Sequence, residues 1–184
     1  MRIGIDIDDT ITNTWLDSMH HYSELFGIPM EDLKKRKPYY NAVKEHFTMD
    51  EYFKMVMPIY DYVVPMVSLK ENVSSVLKDL HDKGHEIIFI SSRGDGYTNA
   101  YSSTKAYLDK NNIVYDKMFL GFDLDKVKVC LDEKIDLFID DNYKHCLDVR
   151  DAGIKVLMFE NYYNKDCLEF EHLKKWDDIY DYVK

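Results

Sequence analysis

Residues 1–15 read MRIGIDIDDTITNTW, and the stretch IGIDIDDT at 3–10 decides what fold to expect. An apolar opening runs into three carboxylates, Asp6, Asp8 and Asp9, within four positions. Carboxylates this close repel one another, and each needs water or a counter-charge. They stand at the end of a strand pattern over 2–7, so the strand must deliver them to a place where a cation or a substrate can make their crowding tolerable.

Working outward, short apolar runs predict further strands at 86–90, 117–120, 136–139 and 155–159. Between and after them, helical patterns cover 70–83, 98–111, 125–133, 143–152 and a C-terminal stretch at 172–183. Gly84 and Gly153 stand where a left-handed helix C-cap belongs. Runs such as IIFI and LFI are apolar on both faces, as parallel strands covered on both sides require. Strands alternating with helices give a doubly wound parallel α/β fold, in which ligands bind beyond the carboxyl ends of the strands, near the topological switch point.

The first crossover breaks the rhythm. Residues 12–68 are too many for a structureless loop, and they carry helical periodicity with Trp15, Tyr22, Phe26, Tyr39, Tyr40, Phe47, Tyr52, Phe53, Tyr60 and Tyr62. This segment reads as a small helical cap over 14–66, inserted into a core made of 1–13 and 67–184. Most of its aromatics should form its own core.

Composition narrows the partners. The 184-residue chain has 46% hydrophobic and 32% charged residues, ordinary for a globular protein, and a formal net charge of −10. That charge disfavours a nucleic acid polymer or an anionic membrane, but not a small anion escorted by a cation. No apolar run approaches the ~20 residues of a membrane span, and no leader segment is expected. Cys130, Cys146 and Cys167 are an odd set without metal-type spacing, which reads as reduced thiols in the cytoplasm. The sequon at Asn72 would then be inert. His20 and His21 read as surface or packing residues.

The strand ends show a pattern. Strand one ends in Asp6 with Asp8 two residues on, the run IIFI ends in Ser91-Ser92-Arg93, and the run DLFI ends in Asp140-Asp141. Lys126 and Lys128 lie at the start of the helix before the last of these. Each of these strand ends thus carries groups able to bind phosphate or metal. DIDDT, an apolar strand ending in Ser, a Lys, and an apolar strand ending in Asp-Asp occur in that order, and the set resembles the four motifs of the haloacid dehalogenase-like phosphohydrolases. The resemblance spans essentially the whole chain, and the insertion resembles the family's first type of helical cap. ISSR, IDLFIDDN, and VLMFENYYN followed by a helix containing Trp176 are most similar to the 5′(3′)-deoxyribonucleotidase branch.

The resemblance implies a Mg²⁺-dependent phosphomonoesterase with an aspartyl-phosphate intermediate. Asp6 would be the nucleophile and Asp8 the acid/base, since residues i and i+2 of an extended chain share a side. Asp9 would brace the turn, with Thr10 shaping it. Asp6, the backbone carbonyl of Asp8, and the pair Asp140 and Asp141 would hold Mg²⁺; which of the tandem aspartates ligates directly stays open. Ser91 and Ser92 would bind the phosphoryl oxygens together with a lysine, for which Lys126 is preferred and Lys128 is the alternative. Arg93, read as exposed, could pair with a substrate phosphate or with the cap. Trp15 is the leading base-contacting side chain, ahead of Tyr39 and Tyr40, and Asn142 and Asn164 are candidates for the mouth of the site. The implied substrate is a nucleoside monophosphate, with a pyrimidine deoxyribonucleotide favoured.

Three other readings compete. A phosphatase for a sugar phosphate or another small metabolite would share the core, because substrate choice lives in the cap. A signalling receiver domain has a similar sheet, but its phosphorylated aspartate follows the third strand, where Asp123 matches poorly, and it lacks a long first insertion. A catalytically silent binding protein is disfavoured by the intact Asp6, Asp8, Ser91, Lys126 and Asp140. The sequence does not fix the oligomeric state, and a homodimer is compatible with it.

Overall fold

A computed structural model describes residues 1–35, 48, 64–94 and 99–183. Six parallel strands form one sheet in the order β3-β2-β1-β4-β5-β6. They are β1 (Arg2–Ile5), β2 (Glu86–Ser91), β3 (Lys117–Leu120), β4 (Leu137–Asp140), β5 (Lys155–Phe159) and β6 (Glu171–Leu173). Between them run α1 (Thr14–Phe26), α2 (Met30–Lys35), α3 (Val73–Asp82), α4 (Ala100–Lys110), α5 (Lys126–Asp132) and α6 (Tyr143–Asp151). Strand order reverses between β1 and β4, which makes their carboxyl ends the switch point. A receiver domain has the order 2-1-3-4-5 instead, so this topology removes that alternative.

The two-faced apolar strands behave as their sequences require. Ile3, Ile5, Phe89, Leu137, Ile139 and Leu157 pack on one face against Leu77, Leu80, Leu108 and Trp176. Ile88, Ile90, Phe138 and Met158 pack on the other against Cys130, Cys146 and Val149 of α5 and α6. Gly4 faces this second layer, where an added Cβ would come within 3.1–3.2 Å of Phe138, Ile135 and Ile90. Gly84 and Gly153 adopt φ of +85° and +89°, as expected of left-handed C-caps.

Two expectations needed correction. Strand one stops at Ile5, because the carbonyl of Ile7 accepts the N–H groups of Thr10, Ile11 and Thr12 and turns the chain. The helix expected at 172–183 is not α-helical. Residues 171–173 form β6, pairing with β5 through Leu157↔Glu171 and Phe159↔Leu173, and Trp176–Asp181 is a 3₁₀ helix. The buried Leu173, Trp176 and Ile179 recur every third residue, which is the 3₁₀ period rather than the α period.

The long insertion leaves and rejoins the core side by side. Thr12 and Leu69 form an antiparallel bridge, and Asn13 N–H donates to Ser68 O at 2.9 Å. Asp17 of α1 accepts from the backbone N–H and the hydroxyl of Ser68 at 2.6 and 2.7 Å. α1 and α2 open the segment assigned to a cap. Tyr39, Tyr40, Phe47, Tyr52, Phe53, Tyr60 and Tyr62 lie outside the described residues. Among the described residues, no helix is long and apolar enough to cross a membrane.

Candidate active site

The register of β1 and β4 brings the acidic strand ends together. Ile5 lies opposite Ile139, and the N–H of Asp6 donates to the carbonyl of Ile139 at 2.9 Å, so Asp6 and Asp140 emerge side by side. Oxygens of Asp6, Asp140 and Asp141 converge within 4.8 Å of one another, and all three residues are buried.

Lys126 is set among them by its helix. The carboxylate of Asp125 accepts the N–H of Lys128 and caps α5, which makes Lys126 the first helical residue. Side chains tilt toward a helix N-terminus, and Nζ of Lys126 donates to Asp6 at 2.6 Å and to Asp140 at 2.7 Å. Lys128, two positions round the helix, pairs with Asp132 in solvent. The structure therefore puts Lys126, and not the alternative Lys128, in the site.

Charge states follow from burial and partners. Burial pushes Asp6 up to about 6 against the pull of Lys126. Asp141 rises well above the usual carboxylate range, first from burial and then from the charges of Asp140, Asp9 and Asp6. Burial also opposes the charge of Asp140, yet Lys126 and His145 hold it well below that range. Lys126 is raised although its burial disfavours the charge, because Asp140 and Asp6 both face it. The cluster thus has more carboxylates than one ammonium can neutralise.

Asp8 is not a member of this triad, and its carboxylate is engaged by other partners. Its carboxylate takes a two-pronged bond from Arg93, from Nε at 2.8 Å and from Nη2 at 2.7 Å, and the Thr14 hydroxyl at 2.6 Å. Burial resists its ionisation, but Arg93 and Thr14 bring it below the usual range. Arg93 corrects the sequence reading: its side chain is wholly buried, and its fork is spent on Asp8 instead of projecting toward solvent. Ser91 is buried at the end of β2 and Ser92 half-buried beside it, and neither hydroxyl has a hydrogen-bond partner among the described residues. Asp9, with φ of +58°, accepts the N–H of Trp15 at 2.9 Å and braces the start of α1, matching its expected structural part.

Three further readings are revised or sharpened. Trp15 is 1% exposed, packs on Tyr22 with centroids 5.5 Å apart and donates its indole N–H to Tyr162, so it presents no open face to a base. Asn142, exposed next to Asp141, caps α6 by accepting the N–H groups of Lys144 and His145. Asn164 is buried and donates to the carbonyls of Asp141 and Phe159 at 2.9 and 2.8 Å. Sequence reasoning did not find Thr14 on Asp8, His145 3.1 Å from Asp140, or Tyr163 donating to Asp141 at 2.6 Å. Thr14 and His145 stand six and five residues from their partners, whereas Tyr163 meets Asp141 across 22 positions that only the fold closes. The ENYYN stretch at 160–164 was the one local signal.

An acidic triad with a buried lysine, at the switch point of a 3-2-1-4-5-6 sheet with an insertion after β1, defines a haloacid dehalogenase-like hydrolase core. No family model matches the chain. The chain is 30% identical to a nucleotidase of Clostridium acetobutylicum over 100% of its own length and 93% of the relative's. A haloacid dehalogenase-like hydrolase of Streptococcus pneumoniae shares the fold at a TM-score of 0.73 and 12% identity, covering 100% of this chain and 98% of that one. A Rhodobacter sphaeroides protein determined with xylulose 1,5-bisphosphate does so at 0.67 and 9%, covering 97% and 95%. The chain belongs to the haloacid dehalogenase-like phosphohydrolases, closest to their nucleotidases, and is a phosphoric monoester hydrolase.

Proposed function

We propose that the protein hydrolyses nucleoside monophosphates, deoxyribonucleotides foremost, through an aspartyl-phosphate on Asp6. The observation that carries this reading is the convergence of Asp6, Asp140, Asp141 and Lys126 on one point at the switch point of the sheet. The Asp6 carboxylate attacks phosphorus in line, and the ester P–O bond breaks. Asp8 gives its proton to the leaving oxygen, then takes one from the water that attacks phospho-Asp6. The P–O bond to Asp6 then breaks, returning the carboxylate and releasing inorganic phosphate. Arg93 and Thr14 keep Asp8 ionised in the free protein. An arriving phosphoryl dianion opposes that charge and favours the protonated form needed for the first step. Lys126 and the hydroxyls of Ser91 and Ser92 bind the phosphoryl oxygens, where charge grows in the transition state.

The donor set fits Mg²⁺: all three side chains offer hard oxygen ligands, and their surplus negative charge is what a divalent cation would offset. Asp6, Asp140 and Asp141 would hold it, and it would supply the positive charge that lets a carboxylate approach a phosphate. The segment 14–66 is proposed as the cap that closes over the substrate, with the core at 1–13 and 67–184, in a cytoplasmic enzyme.

The nucleotidase relative supports the nucleotide; the sugar bisphosphate held by the Rhodobacter neighbour supports a sugar phosphate as the second reading. The core residues address only the phosphoryl group, so the test is phosphate release from deoxy- and ribonucleoside 5′- and 3′-monophosphates beside sugar phosphates, in Mg²⁺ and in EDTA. Metal-dependent release favouring deoxynucleotides is expected. Release favouring sugar phosphates would keep the chemistry and replace the substrate, and no release from either class would overturn the reading.

A further inference from the structure

We infer that Tyr163 is a positioning residue for the metal ligand Asp141, an inference that rests on the metal-dependent reading above. Asp6 and Asp140 are tied to each other through Lys126, whereas among the described residues the Asp141 carboxylate bonds only hydroxyls, and Lys70 acts on it through space alone. It also follows Asp140 in the chain, so an extended backbone would send the two side chains to opposite sides. Something must bring the Asp141 carboxylate back to the cluster and hold it there.

The stretch Asn161-Tyr162-Tyr163-Asn164, after β5, does this from outside. The side chain of Asn161 donates to the carbonyl of Asp9 at 2.9 Å and accepts from Lys70 at 2.7 Å. Tyr162 accepts the indole N–H of Trp15. The side chain of Asn164 accepts the N–H of Asn161 at 2.7 Å and donates to the carbonyls of Asp141 and Phe159. Together these bonds tie the turn to the loop after β1, α1, the end of β4 and β5.

Tyr163 is the member that touches a carboxylate of the triad. Its hydroxyl donates to Oδ2 of Asp141 at 2.6 Å, whereas Oδ1 has only Thr10 at 3.3 Å. A short bond to one oxygen fixes the rotation of the carboxylate and leaves the other oxygen to face the cation. A phenol does so without cancelling the negative charge, as an ammonium there would. Partners of this kind are worth about 10- to 100-fold in metal affinity.

The test is Mg²⁺ binding to the whole protein by calorimetry, with no substrate present. Tyr163→Phe is expected to raise the Mg²⁺ Kd about 10- to 100-fold and, at saturating Mg²⁺, to restore kcat to within about threefold of the unmutated enzyme. Tyr143→Phe, which loses a surface bond to Glu169 and leaves the 161–164 turn intact, is expected to bind Mg²⁺ normally. An unchanged Kd in a folded Tyr163→Phe protein would overturn the inference while leaving the metal reading intact, as would a kcat loss that saturating Mg²⁺ does not repair. Absence of Mg²⁺ binding by the unmutated protein would overturn both.

Discussion

Arg93 grips Asp8 with both arms of its guanidinium fork, at 2.8 and 2.7 Å, across 85 positions of sequence, and does so with its own side chain wholly buried. The pair joins the loop after β1 to the end of β2. It fixes where the carboxylate of Asp8, the proposed acid/base, sits before any substrate arrives.

Arg93→Lys keeps the charge and loses the fork. Its expected kinetic mark is selective. Hydrolysis of an alkyl phosphate should fall at least about tenfold more than hydrolysis of p-nitrophenyl phosphate, whose leaving group departs without a proton. Equal losses on the two substrates would mean that the fork does not serve proton transfer. Arg93→Met should also cost about 3 kcal/mol in urea denaturation, because it leaves Asp8 without its counter-charge.

The two lysines of α5 separate by function. Lys126→Met removes the one ammonium bonded to Asp6 and Asp140 among the described residues, and kcat/KM should fall about 10²- to 10³-fold. Lys128→Met breaks an exposed pair with Asp132, so both activity and Tm should stay at the unmutated values. Steady-state assays and thermal melts of the two variants check this, and a loss confined to Lys128→Met would reverse the assignment.

Much of this arrangement was legible in the chain because it is local. The strand ends at Asp6, Ser91 and Asp140 follow from runs of apolar residues that stop at a polar one, and the left-handed caps at Gly84 and Gly153 follow from residue type. The partners were not legible. Arg93 looks exposed in sequence because nothing nearby says that Asp8, 85 residues earlier, will face it. Tyr163 gains its meaning only when the turn after β5 meets the end of β4. The C-terminal 3₁₀ helix was misread because Leu173, Trp176 and Ile179 also suit one face of an α-helix over so short a span. Choosing between them needed the edge of β5, which recruits 171–173 as a sixth strand.

Thiol chemistry should distinguish the three cysteines. Cys130 and Cys146 are fully buried, and burial pushes Cys130 up to about 12 and raises Cys146 further from its usual range. Cys167 is half-buried near the surface of the β5–β6 connection. At pH 8 a chromogenic disulfide reagent should titrate one thiol rapidly in the native protein and three in urea. Rapid reaction of two or more native thiols would contradict the packing of α5 and α6.

Asp6→Asn removes the proposed nucleophile but little volume. Turnover should fall by about 10⁴-fold or more, with no phosphoenzyme trapped on acid quench. In EDTA at pH 7.5 its Tm should rise, because a carboxylate whose ionisation burial opposes has been replaced by a neutral amide. A lower Tm would mean that the Lys126–Asp6 bond stabilises the fold by more than burying the charge costs.

The same surplus of charge sets a pH dependence. In the folded protein without metal, Asp6 titrates at about 6, Asp9 at about 7 and Asp141 well above its ordinary value, all from burial first. An unfolded chain releases these protons near 4, so between pH 4 and 7 the folded state binds more protons than the unfolded one. Stability therefore falls as pH rises through that window. Asp8 and Asp140 shift the other way, but their window lies below the ordinary carboxylate value. His85, which burial shifts down, moves stability the opposite way, but it is a single group. In EDTA, Tm should thus drop by about 5 °C between pH 5 and pH 8. Mg²⁺ at 100 times its Kd should add about 2.7 kcal/mol at pH 8, and much less at pH 5, where protons already occupy the cluster. Melting curves in EDTA and in Mg²⁺ across this range check both. A Tm in EDTA that is flat or rises with pH would mean that the three carboxylates tolerate their charge unaided, removing the electrostatic reason for a cation at this site.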